Sequence, residues 1–274
     1  MPETVSRGSG TGTFTTAVRA AANGTTATGP SGSGAPGCGV VAPGPSARTH
    51  RFRGRIGVGL AGGFYPAPHR YQLYLTEGCH RSLRVAITVA LLGLQNSTAT
   101  TVLTHPAETP DAFAALRRAY EATWHHYDGP LTAPALCDRW SGRVVSNHTP
   151  DILRDLADSA DLSGPRDEGA GGPPVLRPPS LAAEIDALRE LLARDIAPAA
   201  RPEARAATLS LLDHQLSSRS YVLGEDITAA DVDLWVALTR LGEDTPLTAY
   251  PRLDAYVRRL GRHPAFTVGV RANR

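Results

Sequence analysis

Within about 35 residues this chain runs strand, helix, strand, a unit that few folds accommodate. "YQLYLT" (71 to 76) alternates and is rich in Tyr and Leu, as a half-buried strand should be. "SLRVAITVALLGL" (82 to 94) is apolar around most of a helix and closes near a Gly, which places it between a sheet and another layer. "TATTVLTH" (98 to 105) is β-branched and reads as a second strand. Two strands joined by a helix pair in parallel, with a right-handed crossover.

The next segments extend this unit. "AFAALRRAYEAT" (112 to 123) is an intervening helix. "APALCD" and "RVVSN" read as a hairpin around the polar turn "RWSG". Thr149 then caps a helix with Pro150 at its first position and Asp151 and Asp155 in its early turns. The order βαβ, helix, ββα is that of an α/β thioredoxin-like domain. Pro134 opens a strand, ordinarily an edge feature, and trans is the default for its peptide bond.

Residues 163 to 180, "SGPRDEGAGGPPVLRPPS", carry too much Gly and Pro for a helix or a central strand. Beyond them the patterns are helical: 181 to 196, 202 to 218, 221 to 241 with Thr228 and Asp231 as a capping sequence, and 250 to 266, stopped by Gly261 and Pro264. The expected organisation is a Gly/Ser/Thr/Pro-rich disordered tail (1 to 50), a thioredoxin-like domain (51 to 162), a linker (163 to 180) and an all-α domain (181 to 268).

Composition removes several function classes. The formal net charge is +2, with 28 Arg and no Lys, so nothing draws the whole chain to nucleic acid or an anionic membrane. The basic stretch "RTHRFRGR" is expected to be a solvated linker. No segment approaches the roughly 18 apolar residues of a membrane helix. Three cysteines, Cys38, Cys79 and Cys137, build no disulfide framework and match no zinc spacing, which points to a reducing cytoplasm and no metal. "HHYD" (125 to 128) is expected to be a surface pair, since adjacent histidines point in different directions.

Cys79 is either a packed apolar residue or a nucleophile. It stands between a strand and a helix start, where free N–H groups and the helix dipole stabilise a thiolate, with His80, Arg81 and Arg84 close by in sequence. "CHRS" contains no second cysteine, so a mixed disulfide there needs an external thiol to resolve it. Cys137 is expected in the core and Cys38 inert in the tail.

"YLTEGCHRSLRVAITVALLGL", "APALCD", "HTPDILRDL", "YVLGEDITAADVDLW" and "YPRLDAYVRRLGRHPAF" together resemble the glutathione transferases, and among them the xi class, the glutathionyl-hydroquinone reductases. The resemblance covers about residues 66 to 268. It implies that Cys79 attacks sulfur of a thiol conjugate and forms a mixed disulfide. Glutathione or another low-molecular-weight thiol such as mycothiol is then the co-substrate, with an aromatic or quinone-like acceptor and a homodimer as further expectations. Arg81, Arg84, Ala133, Pro134, His148 and Thr149 fall at the thiol-binding places, and Pro134 at a place that holds a cis-proline in these folds. The departures are substantial. The family's Pro, Trp, Ala and His after the cysteine are His80, Arg81, Ser82 and Leu83 here, and its Glu-Ser pair falls on His148 and Thr149. A tailoring enzyme such as an isomerase or ring-opening catalyst, and a non-catalytic binding protein, are the alternatives.

Overall fold

The structure is a computed structural model that describes residues 50–57, 63–104, 106, 108–158, 162, 172–241 and 245–268. The expected tail up to residue 49, including Cys38, and residues 163–171 of the expected linker lie outside these. The described residues fall into two compact units, one within Gly32–Leu176 joined by Arg259–Arg274 and the other within Arg177–Arg258.

The first unit is built on a four-stranded sheet in the order β2-β1-β3-β4, from β1 (Tyr71–Thr76), β2 (Ala99–Leu103), β3 (Ala135–Asp138) and β4 (Arg143–Ser146). β1 and β2 are parallel across the crossover helix α1 (His80–Leu91), while β3 runs antiparallel to both β1 and β4. Helix α2 (Pro110–Thr123) follows β2, and α3 (Thr149–Asp158) follows β4. This is the thioredoxin-like order. One core holds Tyr74, Leu103, Phe113, Leu116, Tyr120 and Val144, all buried. After residue 258 the chain rejoins this unit, and the turn Pro264–Phe266 packs on α1.

α1 begins two residues earlier than the hydrophobic pattern suggests. The Ser82 Oγ accepts the Thr76 N–H at 2.9 Å and the Cys79 carbonyl accepts the Leu83 N–H at 2.9 Å, so the helix starts directly after Cys79. It stops at Leu91 because Gly93 takes φ 66° and Leu94 N–H reaches back to the Val89 carbonyl at 2.9 Å, a glycine-closed helix end. Thr149 is the first residue of α3 rather than its cap. The cap position is His148, whose carbonyl accepts the N–H groups of Asp151 (3.0 Å) and Ile152 (3.1 Å).

The "RTHRFRGR" stretch is no solvated linker over its described part, residues 50–55. Arg53 bridges antiparallel to Ser146, Gly54 N–H donates to the Val145 carbonyl at 2.9 Å, and Ile56 beyond it is buried. Asn147 clasps the strip: its Oδ1 accepts the Phe52 N–H at 2.8 Å, and its Nδ2 donates to the His50 carbonyl at 2.9 Å. Gly54 is required here, because a Cβ on it would meet the Val145 carbonyl oxygen at 2.6 Å. The outward arginines find acids. Arg53 pairs with Asp151 (2.8 and 3.1 Å), and Arg55 pairs with Asp155, which also accepts the Ile56 N–H at 2.9 Å. Two residues of extended chain advance about 6.6 Å and four residues of helix about 6 Å, so arginines at i and i+2 match aspartates at i and i+4.

The second unit is helical: α4 (Ala182–Asp195), α5 (Pro202–Gln215), α6 (Ala229–Leu238) and α7 (Pro251–Gly261), the division between units falling inside α7. The expected capping box is present. Thr228 and Asp231 exchange side-chain and backbone hydrogen bonds at the start of α6, and Asp231 is fully buried.

Candidate functional site

The register of the sheet brings the sequence-derived candidates to one end of it. β1 runs toward Thr76 and then to Cys79. β3 is antiparallel, and Ala135 at its start pairs with Tyr74 near the end of β1, so Ala133 and Pro134 lie beside that end. β4 reverses again, Ser146 at its end pairing with Leu136, so His148 and Thr149 follow at the same edge. Ala133 and Pro134 are buried and joined by a cis peptide bond, as the resemblance implies and against the trans default.

Cys79 is the cap residue of α1, only 6% exposed. Its sulfur is disulfide-bonded, while Cys137 is free and buried. Thiolate chemistry at Cys79 therefore begins only after reduction. Cys137 sits on β3 at 5% exposure, where burial pushes its thiol up to about 12, so it stays protonated and inert at neutral pH. The Ser82 hydroxyl, last residue of Cys-x-x-Ser, is fully buried and holds the Thr76 N–H.

Arg81 and Arg84 stand on the first turns of α1, whose first turn carries no acid. Burial foremost, then Arg84 and Arg51, hold the Arg81 guanidinium below its ordinary value. Across the edge, His148 Nδ1 lies 3.1 Å from Asp151 Oδ2. Burial is the largest influence on His148 and lowers its pKa; Arg53 and Arg51 act the same way and Asp151 opposes them, so the imidazole is neutral at pH 7. The bonds from Arg53 hold the Asp151 carboxyl below its ordinary value. Thr149 is buried beside them.

Arg51 was not among the sequence-derived candidates. Its charge acts to lower both Arg81 and His148. The signal was present: in "RFRGRI" the arginines alternate with Phe52, Gly54 and Ile56 at the period of a strand. His125 and His126 are exposed, and φ 55° at His126 brings their rings to 3.8 Å rather than apart. No group of three or more potential metal ligands exists among the described residues. No described helix is long and apolar enough to cross a membrane.

Residues 182–259 match the family model described as "Glutathione S-transferase, C-terminal domain". Glutathionyl-hydroquinone reductase YqjG of Escherichia coli (strain K12) is 27% identical over 209 residues, 65% of this chain and 62% of that protein, so the chain spans less than two thirds of it. The glutathione-bound structure of YqjG aligns with a TM-score of 0.66 at 24% identity, covering 82% of this chain and 86% of that one. Glutathionyl-hydroquinone reductase PcpF of Sphingobium chlorophenolicum is 27% identical over 243 residues, 75% of this chain and 76% of that protein. The glutathione-S-transferase Xi from Phanerochaete chrysosporium aligns with a TM-score of 0.64 at 24% identity, covering 82% and 89%. The resemblance read from the sequence is borne out in fold and in relatives.

Proposed function

We propose that this chain, which has the glutathione transferase fold and resembles the xi class, is a thiol-dependent reductase acting on thiol conjugates of quinone-like aromatics. The observation that carries this reading is the placement of Cys79 as the cap of α1, at the sheet end shared with cis-Pro134 and the start of α3. That YqjG and PcpF are glutathionyl-hydroquinone reductases supports the acceptor class.

After reduction, the Cys79 thiolate is stabilised by the positive end of α1 and by the arginines on its first turns. It attacks the sulfur of the conjugate. The sulfur–carbon bond breaks, a proton joins the ring carbon, and the hydroquinone departs, leaving a mixed disulfide between Cys79 and the small thiol. A second thiolate attacks that disulfide at the small-thiol sulfur, regenerating Cys79 and releasing the oxidised thiol. The aromatic carbon is reduced and two thiols are oxidised, so electrons balance. The backbone at Ala133–Pro134 pairs with the cysteinyl amide of the thiol, and the free N–H groups at Thr149 receive a carboxylate.

The test is the prereduced chain with S-glutathionyl-hydroquinone and glutathione, reading hydroquinone release together with the intact mass. Release that disappears in Cys79→Ser, with a trapped adduct on Cys79 in the native chain, is expected. Equal release from Cys79→Ser would overturn the reading.

A further inference from the structure

The β3–β4 ladder ends at Leu136 and Ser146, so its pairing does not set how far apart Ala133–Pro134 and His148–Thr149 stand. The Asn147 side chain crosses this gap. Asn147 immediately precedes His148, and its Nδ2 donates at 3.2 Å to the Oγ1 of Thr132, which immediately precedes Ala133. The same group donates to the Tyr120 hydroxyl at 3.2 Å, and that hydroxyl donates to the Thr132 carbonyl at 3.0 Å. Tyr120 is fully buried on α2, so this triangle is anchored in the core. The amide is held from its other side by the strip: Nδ2 donates to the His50 carbonyl at 2.9 Å, and Oδ1 accepts the Phe52 N–H at 2.8 Å. The Asn147 N–H adds a bond to the Phe52 carbonyl at 3.2 Å. Both N–H groups of the amide and its oxygen are thus engaged. A side chain that served only to end β4 would have no need to reach residue 132. Held on every side, the amide takes one orientation, and a fixed amide between two turns fixes their separation.

We infer that Asn147 is a positioning residue for the small thiol: it sets the distance between the backbone of Ala133–Pro134 and the N–H groups at Thr149, with the strip at 50–52 as its splint. Resting on the thiol-exchange reading above, this assigns the span between the cysteinyl amide and the carboxylate of the thiol to a side chain that touches neither. The thiol it suits is peptide-like, and a thiol without amide and carboxylate gains nothing from the span.

The experiment uses the full chain, reduced with a trialkylphosphine that is then removed, at a temperature well below the melting point of every variant. It measures the rate at which Cys79 exchanges with glutathione disulfide and with hydroxyethyl disulfide, which lacks amide and carboxylate. In each case the Cys79 thiolate attacks one reagent sulfur, the reagent disulfide breaks, a mixed disulfide forms and a thiolate leaves. Peptide mapping assigns the product to Cys79. The ratio of the two rates, compared with that of a short cysteine peptide, separates recognition from thiol reactivity. We expect a native ratio about tenfold or more above the peptide's, falling close to the peptide's in Asn147→Ala and several-fold in Thr132→Val, with the hydroxyethyl rate unchanged. Thr123→Ala removes the acceptor of the Val144 N–H (2.7 Å), so it controls for lost stability between α2 and β4 and should keep the native ratio. Thr132→Val leaves the strip clasped by Asn147 and carries the test if Asn147→Ala does not fold. A ratio unchanged in Thr132→Val and Asn147→Ala, one lowered equally by Thr123→Ala, or a loss of rate with both reagents alike overturns this inference alone. A native ratio equal to the peptide's overturns it together with the thiol site at these turns. No exchange at Cys79 overturns the whole reading it rests on.

Discussion

Removing the Asp231 carboxylate should unfasten the helical unit. The side chain is fully buried and accepts four hydrogen bonds, from Val222 N–H (2.9 Å), Thr228 N–H (2.8 Å), the Thr228 hydroxyl (3.0 Å) and the Tyr256 hydroxyl (2.7 Å). In Asp231→Ala the Thr228 hydroxyl can turn away, but three donors remain with no acceptor. Each buried orphan costs about 1–3 kcal/mol. Releasing a buried carboxylate gives part of this back, so the low end applies: about 3–5 kcal/mol, at the top of the usual range for single substitutions. Asparagine does not restore the site. Each carboxylate oxygen holds two donors, and an amide has one oxygen, so its NH2 must face either Val222 and Tyr256 or Thr228. Asp231→Asn should therefore lose at least half of what Asp231→Ala loses. Urea unfolding followed by far-UV circular dichroism gives the difference, and hydrogen exchange over residues 222–238 against residues 71–76 shows where it arises. A loss below about 1 kcal/mol, or a wild-type asparagine variant, would refute the reasoning.

Three further expectations follow from the first unit. In the reduced chain, Cys79 should alkylate with an apparent pKa clearly below the free-thiol value of about 8.5, measured by peptide-resolved alkylation against pH; a free-thiol titration would remove the activated thiolate. In the reduced chain, deleting residues 1–48 should leave the melting temperature in place, whereas deleting 1–57 should lower it by roughly 5–10 °C, because the second deletion takes His50, Phe52, Arg53, Arg55 and Ile56 from β4 and α3. The folded Asp151 carboxyl lies below its unfolded value, so its contribution is present above that value and lost as pH falls through it. The stability gap between the native chain and Arg53→Ala should narrow between pH 7 and about pH 3, and urea midpoints across that range check it.

The regular elements were legible because their patterns are local. Strand β1 is the alternation of "YQLYLT", and the Thr228–Asp231 box is a spacing of three. What escaped depends on partners remote in sequence. The strip at 50–56 has no core of its own, and it is ordered only because Asn147, Asp151 and Asp155 meet it almost a hundred residues later. The start of α1 was misplaced because polar His80, Arg81 and Ser82 interrupt the apolar pattern, while the bond from Thr76 N–H to Ser82 that fixes the turn is invisible to periodicity. The isomer of the Ala133–Pro134 bond follows from the fold rather than from its neighbours in sequence. At the candidate site, residue types at Cys79, Arg81 and Arg84 could be read, but the lowered pKa of Arg81 and of His148 are matters of burial, which periodicity does not show.

The strip along β4 also has a consequence in time. Phe52 and Arg53 are synthesised 95 and 98 residues before their partners Asn147 and Asp151. At about 5–20 residues per second, they leave the ribosome roughly 5–20 s before anything exists for them to dock on. During that interval Phe52 and Ile56 are exposed apolar side chains on a strand-forming segment, separated by arginines that keep neighbouring nascent copies apart. The same arginines that later pair with α3 thus protect the segment while the rest of its domain is still being made.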